Sequence, residues 1–173
     1  MDILVLRLIH IVAGAFWVGA VFTNFLFIQP AAAAAGPTAA GFSYQLLHHR
    51  RFASALIGSG ALTVLAGILL LAITSNNFDP DVLFASSRLG YTVGGVLAIL
   101  AFGIGSLYVY PRARIVERTL GAVLADGRPP TPAEQALLAR VGGESRRAGR
   151  LVLVGIGLAV IAMATASLWG LVL

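Results

Sequence analysis

The sequence predicts an all-α membrane protein, a bundle of four transmembrane helices with cytoplasmic helical extensions and both termini outside. Two observations carry that prediction. The 173 residues are 58% hydrophobic and only 11% charged, with a mean hydropathy of +0.91, whereas a soluble domain carries about a quarter charged residues. The apolar residues also gather into four stretches, at about 3–28, 52–73, 89–110 and 151–173. Each is long enough to cross a hydrocarbon layer of about 30 Å at 1.5 Å per residue. None alternates with the two-residue period of a barrel strand, and helices are the other way to satisfy a backbone in lipid. The whole chain, 1–173, is read as a single domain.

The first stretch lacks a basic leader, and its apolar run is longer than that of a secretory signal. It is read as a retained helix. Orientation follows from the twelve basic residues, all of them arginine. Arg50 and Arg51 lie between the first two stretches. Eight more, Arg112, Arg114, Arg118, Arg128, Arg140, Arg146, Arg147 and Arg150, lie between the third and fourth. Only Arg7 and Arg88 fall on the other side, near Asp2, Asp79 and Asp81. The positive-inside bias places both long linkers in the cytoplasm of a bacterial inner membrane. Arginines so placed are topology determinants and contacts to anionic lipid at the cytoplasmic face, not a nucleic-acid surface.

The linkers carry helix signals of their own. Gly36-Pro37-Thr38 reads as the start of the second helix, well before the membrane. Residues 112–124 place Ile115, Leu120 and Leu124 near helical spacing, and Gly127-Arg128-Pro129-Pro130 interrupts them. Thr131 and Glu134 form a capping-box pattern, predicting a short amphipathic helix as far as Gly142-Gly143. The outer loop, 74–87, holds Asn76, Asn77 and Asp79-Pro80 as turn formers. Small residues recur at spacing four (Ala55, Ser59, Thr63, Gly67; Gly90, Gly94, Ala98; Gly155, Ala159), which allows close helix approach. Gly95 and Gly103 mark an adjacent face, a candidate surface for subunits of a membrane complex or a second copy. Trp169, Tyr108 and Tyr110 read as interfacial anchors.

Chemistry-bearing residues are few. The absence of cysteine and lysine excludes disulfides, thiolate sites and Schiff bases. All seven acids lie outside the apolar stretches, so no intramembrane carboxylate relay is present. No nucleophilic triad or phosphate loop is discernible, and no catalytic residue is assigned. His10 stands out because an ionisable side chain at membrane depth is costly and imidazole is a common metal ligand. Residues 10, 14 and 17 share a helix face, so His10, Gly14 and Trp17 make a notch with an aromatic wall.

The string LRLIHIVAGAFWVGAVF around these residues resembles the first helix of the copper-resistance D-type membrane proteins. It is also similar to the protoporphyrinogen-oxidase-like HemJ group, whose first helix carries a comparable histidine-then-tryptophan pattern. The resemblance covers about twenty residues and extends loosely over the basic pair Arg50-Arg51 and the second helix. It implies a histidine-bearing bundle that handles copper or b-type haem, with His10 as the metal ligand. The HemJ-like group is associated with a functional lysine in a later helix; this chain has none, which speaks against protoporphyrinogen oxidation.

His48 and His49 lie about 20 Å or more from His10 along the bundle at 1.5 Å per residue, too far to sandwich one iron with it. At the depth of His10 the other helices offer Met163 and Tyr91, and histidine with methionine ligates both haem and Cu(I). His48-His49-Arg50-Arg51 reads as a cluster facing headgroups or haem propionates. Asn24 is expected to bond between helices, and Arg88 to snorkel or to pair with Asp79 or Asp81. Two roles follow: a redox or metal-handling membrane protein built around His10, or a non-catalytic accessory or assembly subunit of a larger complex.

Overall fold

The computed structural model describes residues 2–172, with side chains through residue 170. Residue 173, the last of the fourth predicted stretch, lies outside that range. Among the described residues the chain is helical nearly throughout and has no strand. Helix α1, Ile3–Thr23, begins at Asp2, whose carboxylate accepts the Leu4 N–H at 3.0 Å. A π-helical segment, Asn24–Ile28, continues it into α2, Gln29–Ala35. Gly36, at φ 58°, then turns the chain through a conformation that costs glycine nothing. A short 3-10 turn, Gly36–Ala39, leads into α3, Ala40–Tyr44, and a second π segment, Gln45–His49.

Arg51 is left-handed, at φ 50°, and resets the direction in which α4, Phe52–Thr74, runs. A loop with three successive left-handed residues, Asn76, Asn77 and Phe78, carries the short α5, Pro80–Leu83. Helix α6, Ser86–Ile104, passes through a third π segment, Gly105–Val109, into α7, Tyr110–Ala125. Helix α8, Pro132–Ala164, and α9, Ala166–Val172, complete the described chain. Four helical runs, Ile3–His49, Phe52–Thr74, Ser86–Ala125 and Pro132–Ala164, each contain a stretch long and apolar enough to cross a membrane.

The closest pairings are α1 with α4 and α6 with α8; α4 against α6 joins the pairs, and α1 meets α8 only slightly. Both described ends of the chain lie at one end of the bundle, the terminal end, and the arginine-rich segments at the other, the basic end. The radial distribution is that of a protein in lipid. Leu4, Leu8, Ile11, Leu65, Leu100 and Leu151 are exposed, whereas the buried positions include Gly60, Thr63, Ala66, Gly90, Gly94 and Ala159. Large apolar side chains gain nothing by leaving hydrocarbon, so the helices meet through small ones. Gly90 lies so close to α8 and α9 that an added Cβ would sit 2.7 Å from the Ala162 carbonyl and 2.8 Å from the Ala166 Cα. Gly95 and Gly103, by contrast, meet nothing within 4 Å.

Two sequence expectations change. The second helix does not run unbroken from Thr38 into the membrane, because the π segment and the left-handed Arg51 divide it. Gly142-Gly143 does not end a helix. Val141, Ser145 and Ala148 are buried on the same face, and that packing outweighs a glycine cost of about 1 kcal/mol each. Asp79 caps α5 by accepting the Asp81 N–H at 3.0 Å, and Arg88 makes no ion pair among the described residues. The capping box at Thr131 and Glu134 is present as expected.

Candidate functional site

The His10 ring is spoken for on one side. Its Nδ1 lies 2.8 Å from the Thr63 carbonyl of α4; a carbonyl only accepts, so Nδ1–H is the donor. The ring rests on Gly67, where a Cβ would come within 2.9 Å of Cε1. One turn on, Gly14 faces Thr63, whose Cγ2 would be 3.3 Å from an added Cβ. A turn further, Trp17 is buried on Gly60 and meets Phe102 edge-on, with ring centroids 6.0 Å apart. The notch of residues 10, 14 and 17 therefore exists, and α4 fills it.

That packing leaves no gap for a haem between α1 and α4 at this level. A macrocycle has no room where His10, Thr63 and Trp17 already seat against glycine or its facing helix. The companion ligands lie elsewhere: Met163 packs on Gly94 in the seam between α6 and α8, and Tyr91 is exposed on α6. Among the described residues no group of three His, Asp or Glu side chains is placed to hold a metal.

His48 and His49 are drawn into a protein contact. His48 Nδ1 sits 2.9 Å from Glu117 Oε1, and the other oxygen of Glu117 accepts from Arg114 Nη1 at 2.6 Å. Tyr44 stacks on His48 at 4.9 Å with the planes 8° apart, and His49 stands edge-on to both. Tyr44 in turn lies over Gly121. This cluster ties the second π segment to α7. Sequence reasoning passed over Glu117, although it shares a three-residue spacing with Leu120 and Val123, the other buried residues of α7. An acid on the apolar stripe of a helix is a legible sign of a buried partner.

A half-open cavity of about 600 Å³ lies in the basic half, reaching from Trp17 to Pro130 and Gln135. All three π segments line it, through Asn24, Phe25 and Ile28, through Leu46 and Leu47, and through Gly105 and Val109. A π turn holds one extra residue and widens the helix locally. Two of the three have a visible cause. Pro30 and Pro111 each stand just beyond a π segment, where a proline removes an N–H and presses on the carbonyl four residues back. Asn24, expected to bond between helices, lines the cavity instead, and its side chain makes no hydrogen bond among the described residues.

The walls at the Trp17 end are apolar: Val21, Leu56, Ala101, Phe102 and Val152. Toward the other end the lining turns polar, with Gln29, Ser43, Ser145, Gln135 and Arg146. Elsewhere α7 and α8 are clamped together by Arg112, which donates to Glu144 at 2.8 Å and lies 3.4 Å over the Tyr108 ring. Comparison with protein-family models, with curated proteins and with solved structures finds no match to this chain.

Proposed function

We propose that this chain is a bacterial inner-membrane protein that binds an apolar or amphiphilic small molecule inside the basic half of its bundle. The basic end faces the cytoplasm and both termini face outward, a reading supported by ten of the twelve arginines on one side. The observation that carries the binding function is the cavity. Its 600 Å³ lies within the roughly 300–1,000 Å³ of small-molecule sites, which pair apolar walls with a few polar groups. Residues of all three π segments contribute to its walls.

Trp17 lines the apolar end of this cavity and Trp169 is the other tryptophan of the chain, which supplies the test. In the Trp169→Phe variant, emission reports on Trp17 alone. Titration in nanodiscs with a brominated single-chain lipid is expected to quench that emission saturably, at one molecule per chain. Quenching that rises linearly, as for a tryptophan facing bulk lipid, would remove the binding function.

The competing reading is the haem- or copper-handling role implied by the first helix. One observation favours it: His10 Nε2 makes no hydrogen bond among the described residues, so one ring nitrogen remains free to ligate. Its test is the absorption spectrum and metal content of the purified protein. A Soret band or stoichiometric copper that disappears in His10→Ala would displace the cavity reading.

A further inference from the structure

We propose that the occupant of the cavity is an anionic amphiphile, with its apolar part against Trp17 and Phe102 and its carboxylate or phosphate at Arg146. The inference rests on the cavity reading and names the ligand class for it. Arg146 is the only ionic side chain in the lining, and no Asp or Glu joins it. The acids that might have neutralised it are engaged elsewhere. Glu117 holds His48 and Arg114, Glu144 holds Arg112, and Asp126 and Glu134 both hold Arg128. Arg146 is exposed at the rim of the space and makes no ion pair or side-chain hydrogen bond among the described residues. Its guanidinium lies back over the Gly142-Gly143 pair, with Nη1 3.4 Å from where a Gly142 Cβ would stand. The glycines that failed to end the helix thus leave space beside a cation.

Between Val152 and Gln135 the lining follows α8 for about 25 Å at 1.5 Å per residue. The level of Gly142, where the guanidinium lies, is about 15 Å from Val152. Below it the walls are mostly hydrocarbon, with Asn24 and Ser145 among them, and above it Gln135 and Pro130 open onto the basic end. A fork of five donors in such a place suits a carboxylate or phosphate, and its charge disfavours a cationic or purely apolar occupant.

The experiment uses Trp169→Phe protein in nanodiscs of neutral phospholipid, with Trp17 emission as the readout. The probes are terminally dibrominated dodecanoate, its methyl ester, the matching dodecyl phosphate, and a diacyl phospholipid brominated on its chains. The dodecanoate and the phosphate are expected to quench saturably with at least about tenfold higher affinity than the ester. Arg146→Gln is expected to erase that gap while leaving ester binding unchanged, and Arg146→Lys to restore part of it. Comparison of the two anions identifies which headgroup the protein prefers. Equal affinity for acid and ester with saturable quenching would overturn the anionic ligand while the cavity reading survives. Saturable quenching by a diacyl phospholipid of neutral headgroup at the affinity of dodecanoate would likewise overturn the anionic ligand. If no probe quenches saturably, the cavity reading and the inference fall together.

Discussion

Near the terminal end, α1 and α4 approach through interlocked pairs: His10 on Gly67, Gly14 on Thr63, Trp17 on Gly60. Across the bundle Gly94 receives Met163, and Gly90 meets the Ala162 carbonyl and Ala166 directly. Some ten residues further along α1 the pattern reverses. There π turns follow α1 at Asn24–Ile28 and α6 at Gly105–Val109, and a half-open cavity lies among the helices even though Phe25 still packs directly onto Gly149. The first arrangement uses small residues to remove space and the second uses prolines and extra residues to create it. The contrast teaches where function lies in this chain. A polar residue in the close-packed half, even one as conspicuous as His10, is accounted for by its helix partner, whereas the widened half contains a volume that its own side chains leave open.

The sharpest way to break the comparison is Gly90→Val. The new side chain meets backbone on two helices, which cannot move aside as a side chain can. A loss of about 3 kcal/mol or more is expected, seen as failure to recover folded protein or a large fall in the detergent-unfolding midpoint. A Gly90→Val protein as stable as the parent would show that the α6–α8 seam is loose, and the contrast would vanish. Gly95→Val serves as the control, since nothing lies within 4 Å of that position; it is expected to change stability by less than about 1 kcal/mol.

How much of this was legible beforehand differs between the two halves for a physical reason. Four rods, the arginine-rich end, the Thr131–Glu134 box and the notch at His10, Gly14 and Trp17 were all readable, because hydropathy, charge and helical spacing are local properties. The fate of the notch was not. Whether Thr63 or a cofactor fills a space beside Gly14 depends on the register of α4, which no window of α1 encodes. The cavity was missed for a related reason. Pro30 and Pro111 are visible inside helical runs, but a proline can break, kink or widen a helix, and the choice is made by the packing around it. Glu117 was the one site residue whose own spacing betrayed it.

His10→Ala comes next in expected effect. It removes an interhelical hydrogen bond, worth on average about 0.6 kcal/mol and at most about 1.7 in membranes, and leaves a void against Gly67. A loss of about 2 kcal/mol is expected, with no change in the visible spectrum. A second substitution tests the cause. Gly67→Ala alone is expected to destabilise, because its Cβ would crowd His10 Cε1 at 2.9 Å, yet to stabilise the His10→Ala protein by filling the void. A Gly67→Ala effect of the same sign and size in both backgrounds would show that His10 does not act by packing on α4.

In the widened half, enlargement should do the opposite. Ala113 lines the cavity just beyond the third π segment, and Ala113→Phe places a ring in open space. Stability is expected to change by less than about 1 kcal/mol, while saturable quenching of Trp17 by a brominated amphiphile disappears. An Ala113→Phe protein that unfolds like Gly90→Val would mean that the basic half is as tightly packed as the terminal half.

The smallest effect concerns the mouth of the cavity and its dependence on pH. Glu134, far outside the apolar part of α8, is held down to about 2 from an ordinary 4.5, first by the Arg128 guanidinium and then by the Thr131 N–H. A carboxyl whose folded pKa is depressed contributes stability that is complete above 4.5 and fades as pH falls toward 2. Pro130, Gln135 and Leu138, which line the cavity's outer end, flank that same turn. Hydrogen exchange, corrected for its intrinsic pH dependence, is therefore expected to speed up at Gln135 between pH 4.5 and pH 2.5, with the Thr63–Gly67 amides unchanged. The Glu134→Gln protein should show the faster exchange already at neutral pH and no further acid response. If acid instead loosened both regions together, the two halves would unfold as one unit, and the distinction between a sealed end and an adaptable one would rest on shape alone.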